Sequence, residues 1–206
     1  MTDIYLASRS PRRQELLRQI GVRFEPLASR ADVGDAIDID ERQHAGETAA
    51  AHVERLAHDK ACNGVRLVAQ LGLPPRPVLA ADTVVIRDGE ILGKPADAED
   101  ARHFLRRLSG RAHEVRTAIA LALPDRASAQ VLQATSISTV TFRPLSDDEI
   151  ERYVASGDPF DKAGGYGIQS QAGSFVAHLN GSYTGVMGLP LAETTLLLRQ
   201  AGVTAA

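Results

Sequence analysis

Val78-Leu79-Ala80-Ala81-Asp82-Thr83-Val84-Val85-Ile86 is a nearly continuous apolar run with one carboxylate at its centre. A run of this kind is the pattern of an interior strand, covered on both faces. Just beyond it, Asp88-Gly89 separates Val84-Val85-Ile86 from Ile91-Leu92, a two-residue hairpin signal. Upstream, Pro74, Pro75 and Pro77 mark a connection, and a helix is predicted from about Thr48 to Cys62, buried through Val53, Leu56 and Ala57. Residues 30–46 carry acids, glycine and few large apolar groups, so they read as a loop. Nearer the start, Ile4-Tyr5-Leu6-Ala7 reads as a buried strand. Ser10-Pro11 then opens a helix, with Ser at the N-cap and Pro at N1. Leu16, Leu17 and Ile20 form its apolar face, Gly21 ends it, and residues 22–27 suggest another strand.

Downstream, Asp97 caps a helix to Leu108 that turns Ala101, Phe104, Leu105 and Leu108 inward and stops at Gly110. Residues 113–123 and 131–142 are rich in Val, Ile and Thr and predict strands. Ser146 and Glu149 form a capping box for a helix through Ile150, Tyr153 and Val154. Residues 157–173 form a glycine-rich loop, Phe175 to Leu179 a short strand, Asn180-Gly181 a turn, and Leu189 to Gln200 a last helix. No repeat or linker divides the chain. The expected fold is one α/β domain over residues 1–206, a mixed central sheet flanked by helices and drawn out into two lobes.

Composition narrows the function. The net charge of −3 gives no overall attraction to nucleic acid, so any phosphate binding must be local. Cys62 is the only cysteine, which excludes an intrachain disulfide and a thiolate metal cage, and it is given no role. The start of the chain lacks the basic and apolar regions of a signal peptide, and no run approaches a membrane span. A cytoplasmic protein without membrane or nucleic-acid partners is expected.

Four features break local rules, and such breaks often mark functional sites. Arg12 and Arg13 stand in the first turn of a helix, where cations cost about 0.3–1 kcal/mol each. A bound anion would reverse that sign, joined by the hydroxyls of Ser8 and Ser10; the alternative is that both arginines point into water. Asp82 lies inside the apolar strand, where an unpaired carboxylate costs several kcal/mol. It is either a metal ligand or general base, or an Asp at a bend taking backbone hydrogen bonds. Gly93-Lys94-Pro95 holds a lysine suited to phosphate, or simply a solvated one. The stretch Asp161-Lys162-Ala163-Gly164-Gly165-Tyr166-Gly167-Ile168-Gln169 is neither a dinucleotide fingerprint nor a P-loop. Its Gln169 could read a base edge or be an ordinary strand residue. The histidines at 44, 52, 58, 103, 113 and 178 show no metal spacing and read as solvated or structural.

Together these segments resemble the Maf family along nearly the whole chain. The likeness lies in Leu6-Ala7-Ser8-Arg9-Ser10-Pro11-Arg12-Arg13, Ala81-Asp82-Thr83, Gly93-Lys94-Pro95, Asp161 to Gln169, and Gly188-Leu189-Pro190, in the family's order. The resemblance implies a fold like that of the inosine triphosphate pyrophosphatases, with two lobes around a cleft. It implies hydrolysis of a nucleoside triphosphate to the monophosphate and pyrophosphate, assisted by a divalent cation, Mg²⁺ or Mn²⁺. It carries a catalytic and metal role onto Asp82, and phosphate binding onto Ser8, Arg12, Arg13, Lys94 and Lys60 of Leu56-Ala57-His58-Asp59-Lys60-Ala61. Arg12, Thr83 and Gln169 resemble the specificity set of the branch acting on dTTP and UTP.

The resemblance further suggests removal of modified pyrimidine nucleotides, a link to cell division arrest, and a homodimer. A non-enzymatic nucleotide-binding regulator of division is the rival. Arg9 and Asp158 depart from the family's usual residues. The usual acidic cluster is broken into Asp32-Val33-Gly34-Asp35, from which Asp35 is the expected second metal ligand.

Overall fold

The computed structural model describes residues 3–30, 33–124 and 130–203. Among the described residues seven strands form one sheet in the order β2-β1-β3-β5-β6-β7, with β4 paired to β3. They are β1 Ile4–Leu6, β2 Phe24–Pro26, β3 Val78–Arg87, β4 Glu90–Leu92, β5 Ala112–Leu123, β6 Gln130–Phe142 and β7 Val176–Asn180. The β1–β2 and β1–β3 pairs are parallel, whereas β3–β4 and β6–β7 are antiparallel, so the sheet is mixed, as expected. The helices are α1 Pro11–Gln19, α2 Ala49–Gln70, α3 Ala98–Leu108, α4 Asp147–Ala155, α5 Tyr183–Met187 and α6 Leu191–Gln200. Contacts divide the chain into two compact units. One comprises Met1–Asp82, Thr117–Thr135 and Gly188–Ala206; the other comprises Thr83–Arg116 and Ser136–Met187.

In the first unit β1 is fully buried, and α1 begins where expected, the Ser10 hydroxyl accepting the Arg13 N–H at 3.5 Å. Thr48 caps α2 by accepting the Ala51 N–H at 3.2 Å. This helix runs to Gln70, eight residues past its expected end. Asn63-Gly64 lowers local helix propensity, glycine by about 1 kcal/mol relative to alanine, yet packing overrides that preference. A Cβ on Gly64 would lie 2.6 Å from Val78 Cγ1 and 3.2 Å from Ala7 Cβ, so glycine lets the helix backbone approach β1 and β3 closely. Strand β2 is shorter than expected, because residues 27–29 turn into a 3-10 helix.

In the second unit Asp88 (φ 53°) and Gly89 (φ 81°) both adopt left-handed conformations, the requirement of a type I′ hairpin turn. Asp97 caps α3, accepting the N–H groups of Glu99 at 2.8 Å and Asp100 at 2.9 Å, and the Ser146–Glu149 capping box opens α4. The core gathers Leu105, Val140, Phe142, Ile150, Tyr153, Tyr166 and Phe175. Its rings meet edge to face, Phe142 and Tyr166 at 4.8 Å between centroids. The glycine-rich stretch contains three 3-10 turns, and Phe175 belongs to the last of them, so β7 starts at Val176. Helix α5 was not foreseen; the Ser182 hydroxyl, one residue past Gly181, accepts the Gly185 N–H at 2.9 Å and the helix begins at Tyr183.

Candidate active site

The first unit assembles most of the predicted residues. The turn from β1 into α1 carries Ser8, Ser10, Arg12 and Arg13. Arg13 folds back over this turn, donating through Nη1 to the Ser8 hydroxyl at 3.2 Å and through Nε to the Gly188 carbonyl at 2.8 Å. The Ser8 hydroxyl, itself buried, also accepts the Ser10 N–H at 3.2 Å. A guanidinium held at two points is preorganised for an anion rather than splayed into water. Burial pushes the Arg13 pKa down from its ordinary value, against the pull of the Asp82 charge; Arg12 adds to the depression and Glu41 opposes it. The same three charges therefore share a neighbourhood with Arg13.

Asp82 keeps its place in β3 without a bend. Its carboxylate, 13% exposed, accepts from Lys60 Nζ at 2.7 Å. Lys60 projects from α2 and also pairs with Glu41 Oε1 at 2.5 Å. One ammonium thus draws together a buried strand carboxylate and an acid from the irregular segment before α2. Sequence reasoning missed Glu41. The available signal was the acidic pair Asp40-Glu41 within a stretch otherwise read as loop. Asp35, the expected second metal ligand, has a side chain that is 96% exposed and pairs with Arg9 at 3.2 Å, while Asp38 pairs with Arg9 at 3.1 Å. Asp32 lies outside the described residues.

Among the described residues no group of three potential metal ligands gathers. The convergence of Asp82 and Glu41 on one cation still fits Mg²⁺ or a similar ion. Such ions take one or two protein carboxylates, with phosphate oxygens of the substrate and water completing the shell.

The second unit holds Thr83, Lys94 and Gln169. The Gly93 carbonyl accepts the Gly164 N–H at 2.9 Å, tying the Gly-Lys-Pro turn to the glycine-rich loop. Gly164 (φ 68°) rests on Val85, where a Cβ would come within 2.8 Å of Val85 Cγ2. Lys94 is exposed, and Gln169 is exposed on a turn rather than placed in a strand. Lys162 is buried and donates to the Asp158 carbonyl at 2.6 Å, to Asp158 Oδ1 at 3.0 Å and to Asp161 Oδ1 at 2.5 Å. Asp158 Oδ2 accepts from both Tyr153 and Ser170 at 2.5 Å, so this aspartate closes the loop upon itself. His113 Nε2 lies 2.7 Å from the Tyr166 hydroxyl.

Comparison with known proteins shows the family. A family model described as Maf-like protein matches residues 3–201. The chain is 56% identical to the dTTP/UTP pyrophosphatase of Chromobacterium violaceum over 98% of its own length and 96% of that protein. It is 55% identical to the dTTP/UTP pyrophosphatase of Aromatoleum aromaticum over 97% and 95%. The solved structure of the Staphylococcus aureus Ham1 protein aligns at a TM-score of 0.50 and 14% identity, covering 97% of this chain and all of that one. That last likeness concerns fold alone and agrees with the expected inosine triphosphate pyrophosphatase-like architecture. With a family match spanning nearly every residue and relatives above half identity, the chain belongs to the Maf family.

Proposed function

We propose that the chain is a nucleoside triphosphate pyrophosphatase that hydrolyses dTTP and UTP to the monophosphate and pyrophosphate. The observation that carries this reading is the Lys60 ammonium bonded to both Asp82 and Glu41, in the same electrostatic neighbourhood as Arg13. A purely structural lysine pair would not need the second acid or the arginine pinned to Ser8.

Phosphoryl transfer depends mainly on positioning and charge neutralisation. In this reading Arg13, held by Ser8 and Gly188, keeps its fork fixed for a phosphate oxygen, and Arg12 adds charge beside it. The positive end of the α1 dipole adds to the attraction for the same anion. Lys60 neutralises phosphate when substrate charge arrives and releases its hold on the two carboxylates. Asp82 and Glu41 would hold a divalent cation, Mg²⁺ or Mn²⁺, which would supply a lowered water pKa and offset phosphate charge. Asp82, in the water-poor interior of β3, orients the attacking water and takes its proton. Lys94 is assigned to the phosphates, and Arg12, Thr83 and Gln169 to the choice of base.

The nucleotide panel that tests this comprises dTTP, UTP, CTP, 7-methyl-GTP and 5-substituted pyrimidine triphosphates, with pyrophosphate release measured in Mg²⁺. Release from dTTP and UTP above the others supports the assignment. Binding of dTTP without release supports a non-enzymatic regulator of division instead. Turnover of the 5-substituted nucleotides would extend the role to clearing modified pyrimidines, and sedimentation would test the proposed homodimer. Among the described residues no helix is long and apolar enough to cross a membrane, and we assign the enzyme to the cytoplasm.

A further inference from the structure

Glu41 sits on a segment without secondary structure of its own, residues 38–47, yet its carboxylate meets Lys60 at 2.5 Å. An irregular segment can present an acid reproducibly only if something else fixes it. That role falls to Glu47, whose side chain is 9% exposed. Its carboxylate accepts both arms of the Arg55 fork, Nε to Oε1 at 2.6 Å and Nη2 to Oε2 at 2.9 Å. Oε2 also accepts the backbone N–H of His44 at 3.0 Å and lies 3.1 Å from His52 Nδ1. The same Arg55 Nη2 donates to the carbonyl of Arg42, the residue after Glu41, at 3.0 Å, and Gln43 Nε2 donates to the Glu47 carbonyl at 2.7 Å. The hydrogen bonds to Arg55 hold the Glu47 carboxyl well below the usual range, so it remains ionised.

We propose that the Glu47–Arg55 pair is a positioning element for the reaction. It fastens the segment carrying Glu41 onto α2, the helix that also carries Lys60, and so fixes Glu41 relative to Asp82. The inference rests on the proposed role of Glu41 beside Asp82. Arg55 anchors the segment at two points, through the Glu47 carboxylate and the Arg42 carbonyl, with Glu41 immediately before the second anchor. A lysine in place of Arg55 keeps the charge but cannot make the two-armed contact and the carbonyl bond together.

The test compares Arg55→Lys and Glu47→Gln, each alone and combined with Glu41→Gln, by single-turnover hydrolysis of dTTP with enzyme in excess. Thermal melting checks folding, and amide exchange reports on residues 40–47. Residues that orient a metal-binding carboxylate typically contribute about 10–100-fold to activity or metal affinity, and a loss of that size is expected for Arg55→Lys, with faster exchange confined to the segment. In the Glu41→Gln background the same substitution should change the rate by less than about twofold, because nothing remains to be positioned. An unchanged rate in Arg55→Lys, or an undiminished loss in the Glu41→Gln background, would overturn the inference. Should Arg55→Lys fail to fold, Glu47→Gln, which removes the charge but keeps the shape, gives the same comparison. Full turnover in Glu41→Gln alone would instead refute the role of Glu41, and the inference with it.

Discussion

His113 offers a quantitative perturbation. Burial pushes its imidazole down to about 4, against a smaller opposing pull from the Arg111 backbone and with the Arg87 charge in support. In the unfolded chain the ring titrates near ~6.5. Between these two values the unfolded state binds a proton that the native state refuses, so stability falls as the pH is lowered through that window. The difference corresponds to about 3 kcal/mol lost between pH 7 and pH 4 from this residue. Inside the core the ring meets the Tyr166 hydroxyl at 2.7 Å and the rings of Phe142 and Tyr166 edge on at 5.0 and 5.4 Å. Protonation would place a charge among these aromatic neighbours and loosen the anchor of the glycine-rich loop. Urea unfolding of the native protein and of His113→Gln across pH 4 to 7 measures the effect, since carboxylates that also titrate cancel in the difference. The gap between the two proteins should shift by about 3 kcal/mol in favour of the variant as the pH falls. Parallel loss of stability in the two proteins would refute the argument.

Other consequences are open to direct measurement. Gly164→Ala combines a left-handed backbone with a contact under 3 Å to Val85, and should cost at least about 2 kcal/mol, read as a drop in melting temperature. Ser146→Ala removes half of the α4 capping box and should destabilise by about 1 kcal/mol in the same assay. Lys94→Ala should lower kcat/KM for dTTP by about 10–100-fold, the worth of a charged hydrogen bond; unchanged kinetics would remove Lys94 from the site.

Much of the architecture was legible because the signals act over a few residues. Ser10-Pro11, Asp88-Gly89, Asp97 and the Ser146–Glu149 box each satisfy backbone groups within the same turn, and each works in the structure as its local chemistry implies. Helix α2 was underestimated because Gly64 weakens it locally, while its contact with Val78 is visible only after folding. The position of Glu41 was hidden for a similar reason. Its partner Lys60 lies on the following helix and Asp82 on the strand beyond, and nothing in the run of acids distinguishes it from Asp35 or Asp38. Gln169 was legible as a polar residue closing a glycine loop, but its place on a turn depends on the Lys162–Asp158 network around it.

The site is tested most directly by hydrolysis of dTTP in ¹⁸O-labelled water with Mg²⁺, comparing the native protein with Asp82→Asn. The native protein is expected to yield dTMP carrying the label together with unlabelled pyrophosphate, while Asp82→Asn remains folded and loses at least about 100-fold in rate. Label in orthophosphate with dTDP as product, or undiminished turnover in Asp82→Asn, would contradict attack at the α-phosphorus assisted by this carboxylate.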